Sequence, residues 1–154
     1  QQWGSQLRYA SPSALAQLEA DPLYTPEFHH AVRDALSHYW GGPKLTGNPL
    51  LKLGVVQDAL GENNGNPSQA LRAVLRQCVE TLRPSTERDA TATEWILYDI
   101  LRLRFLQGKR VKEIVQELAM SESDFYRKER AAIREVARAL AIQEKARAEA
   151  HKQA

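Results

Sequence analysis

An all-α fold is predicted for these 154 residues, on three observations. Apolar residues recur three and four positions apart through most of the chain, and almost no stretch alternates with the two-residue period of a half-buried strand. Glycine and proline fall between the periodic stretches, where helices begin and end. A hydrophobic content of 43% beside 26% charged residues belongs to an ordinary globular chain with a core, not to a disordered one. The length suits one compact multi-helix domain, or two small helical subdomains sharing a core.

From the N-terminus, a short helix is expected over about 12–19, with Ser11 as cap and Pro12 in the first position, where its missing N–H costs nothing. A longer helix begins at Thr25 and Pro26 and ends at Gly41 and Gly42. It offers Phe28, Val32, Leu36 and either Tyr39 or Trp40 to a core. Residues 44–48 read as a connection, and Pro49 opens a third helix that ends at Gly61. Asn63, Asn64, Gly65 and Asn66 form a turn-rich loop. Pro67 and Ser68 then start a fourth helix to about Leu82, with an apolar face of Leu71, Val74, Leu75, Cys78, Val79 and Leu82. Residues 83–86, with Pro84 among them, are the best boundary between an N-terminal helical part (1–86) and a C-terminal part (87–154). A fifth helix over about 90–107 is apolar on several sides through Trp95, Ile96, Leu97, Ile100, Leu101, Leu103 and Phe105. Such a helix wants burial all round, which predicts one continuous body rather than two beads on a linker.

Residues 103–140 carry the most informative pattern. Val111, Ile114, Val115 and Leu118 fall at i, i+3, i+4 and i+7, one apolar stripe of a short helix. Ala119 and Met120 lead to Ser121, whose hydroxyl can cap the next helix while Asp124 adds negative charge near its positive end. In that helix Phe125, Ala132, Val136 and Leu140 lie along one side with Ile133 beside them, and Glu122, Ser123, Tyr126, Arg127, Arg130 and Arg134 point elsewhere. A short amphipathic helix, a tight polar turn and a longer basic helix make the layout of a C-terminal helix-turn-helix. Beyond Leu140 only Ile142 is large and apolar, so the end is expected to extend the last helix into solvent, to fray, or to join a downstream region.

These residues resemble region 4 of bacterial sigma factors and the related response-regulator and LuxR-type helix-turn-helix modules. The resemblance rests on Gly108 before the first helix, Glu113 and Ile114 within it, Leu118 at its end and Ser121 at the cap. Phe125 follows where the family has an aliphatic residue, and then Arg130 with Ala132. It covers about a quarter of the chain and is more specific for fold than for target. Three positions depart from it: Ala119 stands at the family's turn glycine, Asp124 at its usual threonine and Glu129 at a usually apolar position.

The resemblance implies a DNA-binding module of a bacterial transcription regulator, with a recognition helix of about 122–140 in the major groove of double-stranded DNA. On that expectation Glu122, Ser123, Tyr126 and Arg127 read bases, while Lys109, Arg110, Lys112, Arg130 and Arg134 hold phosphates. Asp124 would repel a phosphate and is assigned to the cap. Charge agrees mildly: residues 109–154 hold 11 Lys and Arg against 8 Asp and Glu, net +3, while residues 1–108 hold 10 against 11, net −1.

The remaining chemistry reads as structural. His29 and His30 diverge by about 100° on a helix, and with His38 they do not make the convergent set that zinc needs, so no metal is expected; His151 lies in the polar tail. The single Cys78 has no partner for an internal disulfide and reads as a buried thiol. No phosphate loop, dinucleotide fingerprint or nucleophile elbow occurs, so neither an enzyme nor a cofactor is expected. Arg102 and Arg104 read as cations reaching the surface from a buried helix. No apolar run reaches membrane-spanning length and no signal segment opens the chain, so the expectation is a cytoplasmic protein with no membrane partner. The chain opens on Gln1 rather than Met, as in a processed or trimmed product or a piece of a longer protein.

A second functional expectation stands beside the first. Asp124, Glu129 and the mild net charge fit a protein-interaction or adaptor module of a larger regulatory assembly, which keeps the helix-turn-helix fold and turns its surface to a protein partner or a homodimer mate. Trp3, Tyr24 and Trp40 are its candidate contacts.

Overall fold

The computed structural model describes Ala16, Leu18, residues 20–89 and residues 91–153. Trp3 and most of the helix expected over 12–19 lie outside the described residues; Ala16 and Leu18 are helical. From residue 20 onward the described chain forms seven α-helices and no strand: α1 Pro26–Ser37, α2 Pro43–Thr46, α3 Gly54–Asp58, α4 Pro67–Thr81, α5 Thr93–Leu101, α6 Val111–Glu117 and α7 Glu122–Gln153.

α1 starts as the sequence predicts, with the Thr25 hydroxyl accepting from the Phe28 N–H at 3.1 Å and Pro26 in the first turn. It closes at Ser37, short of the expected glycines, because the chain tightens there: the Tyr39 N–H bonds to Leu36 O at 3.2 Å. Of the two aromatic residues, Tyr39 enters the core and Trp40 stays 62% exposed. The expected connection at 44–48 contains the single turn α2 and is fixed by the buried Asn48. The Asn48 amide donates to Ala31 O at 2.9 Å and to Lys44 O at 3.0 Å, and its Oδ1 accepts from the Leu50 N–H at 2.9 Å.

The expected third helix from Pro49 to Gly61 is a correction. It is broken into a 3₁₀ turn (Pro49–Lys52), α3 and a second 3₁₀ turn (Gly61–Asn63). The break falls at Leu53, whose backbone is extended and whose side chain is buried. α3 restarts at Gly54 because the Glu144 carboxylate, far along the chain, accepts the Gly54 and Val55 N–H groups at 3.1 and 3.0 Å.

α4 matches its expected face: Leu71, Val74, Leu75, Cys78 and Val79 are all buried. Burial pushes the Cys78 thiol up to about 12, so it stays protonated. The expected fifth helix is α5 followed by a π turn, Arg102–Leu106, closed by Gln107 N–H to Arg102 O at 2.9 Å and ended at Gly108 with φ +70°. The segment before α5 is fastened to it. The Arg88 guanidinium lies 4.4 Å over the Trp95 ring and 2.7 Å from the buried Asp99, and the Trp95 indole donates to Glu87 O at 2.9 Å.

α7 is the axis against which α1, α3, α4, α5 and α6 pack. Its buried stripe runs through Ala132, Val136, Ala137, Ala139, Leu140 and Ala141 into the main core, which draws on helices from both sides of residue 86. The stretch just after Leu140 corrects the expectation of a solvated end. Ala141 is buried, Ile142 packs on the core, Glu144 caps α3, and Arg147 grips Asp58 with Nε at 2.8 Å and Nη2 at 3.2 Å. A Cβ at Gly54 would fall on the Arg147 guanidinium, so the glycine gives this arginine its path across α3. Only from residue 148 is the helix exposed on all sides. No helix among the described residues is long and apolar enough to cross a membrane.

Candidate functional site

α6 and α7 meet around a small core of their own. Ile100, Leu103, Ile114 and Phe125 are buried together, with Ile96, Val111, Val115, Leu118 and Met120 packed around them. This accounts for the many-sided apolarity of α5 and the π turn: Leu101 and Phe105 enter the main core, whereas Ile100 and Leu103 enter the small one.

The link between α6 and α7 is fixed by backbone hydrogen bonds. The Met120 N–H reaches Val115 O at 3.0 Å and the Ala119 N–H reaches Gln116 O at 3.3 Å, the two bonds of a Schellman ending. Ala119 takes the left-handed position at φ +54°, where glycine is the usual choice. Val115 and Met120 both pack on the small core, the apolar contact that accompanies this motif. At the other ends, the Glu113 carboxylate accepts the Arg110 N–H at 3.1 Å, and the Ser121 hydroxyl caps α7 by accepting the Asp124 N–H at 3.1 Å.

With both helices held, the outward residues at the start of α7 have defined positions. Glu122, Ser123, Tyr126 and Arg127 are exposed on its first turns, with Arg130 and Arg134 further along. They differ in what they already hold. Asp124 forms ion pairs with Lys128, at 2.9 Å, and with Arg127. The Lys128 ammonium and then the Arg127 guanidinium keep its carboxyl below the ordinary value. Lys109 pairs with Glu117 at 3.0 Å, and Arg110 lies 3.7 Å from Glu113. Lys112, Arg130 and Arg134 have no ion pair among the described residues and are exposed.

Glu129, at a position the resemblance makes apolar, is turned inward. Its carboxylate sits 3.1 Å from Arg104 of the π turn, and the Arg104 guanidinium lies 6.0 Å from the Phe125 ring centre. Burial raises the Glu129 carboxyl above its ordinary value, against the pull of Arg104, Arg33 and Arg130. Arg102 likewise stays local, 3.2 Å from Asp99.

Two grooves on the surface are not assigned by the sequence pattern. One, of about 630 Å³, lies between α1 and α7; its cations are Arg33, Arg130 and Arg134, with His29 and His30 beside them. The His29 ring packs against Tyr24 at 4.5 Å, and its pKa is lowered by burial first and then by Arg138 and Arg134. His30 is 3.4 Å from Asp34. The spacing of His29, His30 and Arg33 along one helix is visible in the sequence, but the face of α7 opposite them is not. The other groove, of about 580 Å³, runs from exposed Trp40 to Gly108, Lys109 and Arg110. Among the described residues no three His, Cys, Asp or Glu side chains are grouped to hold a metal ion.

Comparison with protein-family models, with curated proteins and with solved structures finds no match to this chain. What bears on function is the geometry of α6 and α7. That geometry joins a packed pair of helices to an outward α7 face carrying hydroxyl, phenol, carboxylate and guanidinium groups, with Lys112, Arg130 and Arg134 exposed and without ion pairs among the described residues.

Proposed function

We propose that the chain binds double-stranded DNA through a helix-turn-helix made of α6, the turn at Ala119 and α7, as a module of a bacterial transcription regulator of the sigma region 4 and LuxR kind. The observation that carries this reading is that Lys112, Arg130 and Arg134, exposed and without ion pairs among the described residues, flank the exposed first turns of α7. Phosphates held by cations at those positions fix the register of a helix in the major groove, and base edges then meet the residues at its start.

Of those residues, Arg127 can exchange Asp124 for a guanine, and Glu122 can accept from a cytosine amino group. Ser123 and Tyr126 supply hydroxyls of either polarity. Each well-made bidentate base contact discriminates by about 1–3 kcal/mol. Lys109 and Arg110, already paired with Glu117 and Glu113, contribute less to phosphate binding than Lys112. A DNA target of this kind assigns the protein to the bacterial cytoplasm.

The test is fluorescence anisotropy of labelled random duplex DNA over a salt series, with the Arg127→Ala, Arg130→Ala double variant alongside. Binding in about the micromolar range that falls steeply with salt and weakens in the variant supports the reading. No binding at low salt, or a variant that binds as well as the parent, overturns it.

One observation favours a second reading, a protein-interaction module: Trp40 is 62% exposed on a groove edge. Tryptophan is enriched at protein interfaces and among their hot spots. A complex that survives high salt and is lost with Trp40→Ala would support this alternative.

A further inference from the structure

The groove between α1 and α7 collects arginines that the rest of the fold leaves uncommitted. Several other guanidinium groups are engaged: Arg88 and Arg102 with Asp99, Arg104 with Glu129, Arg138 with Glu135, Arg147 with Asp58. Arg33, Arg130 and Arg134 have no such pair among the described residues, and all three line this one groove. Glu129 feels the charge of Arg33 and Arg130, but its carboxylate is held by Arg104 at 3.1 Å. Arg130 and Arg134 are one turn apart on α7, about 6 Å along its axis. Arg33 lines the same open channel from α1, with Ile133 and Pro26 among its apolar lining. Guanidinium donors from two helices along an open groove suit an extended chain of anionic groups better than a single buried ion.

We propose that this groove seats a run of phosphodiesters of the duplex whose major groove α7 enters, with Arg33 as a phosphate contact outside the α6 and α7 pair. The proposal rests on the DNA-binding reading above and extends its footprint onto α1. His30 borders the same channel but is engaged by Asp34, so the permanent charge of Arg33 makes the contact.

The experiment compares Arg33→Ala, Arg33→Lys and Arg72→Ala with the parent on the same labelled duplex over a salt series. Arg72 lies on α4, away from the groove, has no ion pair among the described residues, and its loss changes net charge equally. Arg33→Ala is expected to weaken binding several-fold, alike on unrelated sequences, and to reduce the salt slope by about one. Arg33→Lys is expected to recover most of the loss, and Arg72→Ala to match the parent.

Equal weakening by Arg33→Ala and Arg72→Ala would reduce the effect to overall charge and overturn the seat. An unchanged Arg33→Ala in a protein that still needs Arg130 would overturn it too, leaving the DNA-binding reading standing. A parent that binds no duplex overturns both. Inorganic pyrophosphate, titrated by calorimetry against the free protein, separates the sources. Pyrophosphate binding that requires Arg33, with duplex affinity indifferent to Arg33, would assign the groove to a free phosphate compound and overturn the proposal.

Discussion

The Glu144 carboxylate accepts the Gly54 backbone N–H at 3.1 Å, joining positions 90 residues apart. Its second oxygen takes the Val55 N–H at 3.0 Å, so one side chain near the end of α7 satisfies two free donors at the start of α3. The late part of α7 is thereby a structural strut against which the N-terminal helices are set.

Replacing Glu144 with Ala leaves both donors without their acceptor, at a cost of about 1–3 kcal/mol. The denaturant midpoint in urea is expected to fall with an unchanged slope, and Glu144→Gln to fall less because the amide oxygen can still accept one N–H. An unchanged midpoint in Glu144→Ala would mean that α3 is held without this cap.

Ile114 separates stability from recognition. It is fully buried in the small core and cannot touch DNA, yet it sets α6 against α7. Ile114→Ala is expected to cost about 2–5 kcal/mol and to weaken duplex binding at temperatures where the variant is folded. Leu71→Ala, a comparable deletion in the main core, is expected to cost similar stability and leave duplex affinity near that of the parent. Equal affinities in the two variants would remove the small core from the account of the site.

Ala119 is the residue whose replacement should stabilise the protein. An L-residue at φ +54° bears about 1–2 kcal/mol of strain that glycine does not, offset in part by the greater freedom of glycine in the unfolded chain. Ala119→Gly is expected to raise the melting temperature by a few degrees, and Ala119→Val to lower it. Scanning calorimetry of the three proteins reads both signs.

His29 gives a pH dependence of definite sign. Its folded pKa lies below the ordinary 6.5, through burial first and then Arg138 and Arg134, so the unfolded chain binds the extra proton as pH falls through 6.5. Stability from this site is therefore complete above 6.5 and is lost as pH falls toward the folded value. The raised Glu129 carboxyl acts the opposite way, its contribution falling as pH rises through its folded value. Denaturation of the parent and His29→Gln between about pH 5 and 7.5 isolates the histidine. The variant is expected to gain on the parent as pH falls. A constant difference would remove His29 as the cause.

How much of this was legible in the sequence depended on whether the signal was local. The apolar faces of α1 and α4, the Thr25 and Ser121 caps and the stripe of α6 followed from spacing alone, because a helix's own period and capping residues decide them. The break at Leu53 was not legible, since its cause is a carboxylate arriving from Glu144. The packed stretch after Leu140 was missed because Ala141, Glu144 and Arg147 work through one small apolar face and two polar grips, which leave little trace in a hydrophobic pattern. At the candidate site the outward residues of α7 could be named in advance. That Asp124 would hold Arg127, and that Arg33 would line one groove with Arg130, required the packing of α1 on α7.

Amide chemical-shift mapping of the isotope-labelled chain during titration with a short duplex at low salt tests whether α7 meets DNA. Shifts concentrated at the start of α6 and over residues 122–134, with α4 and the end of α7 unmoved, are the predicted result. Shifts confined to the Trp40 side, or none at concentrations where labelled duplex should be bound, would contradict DNA recognition by α7.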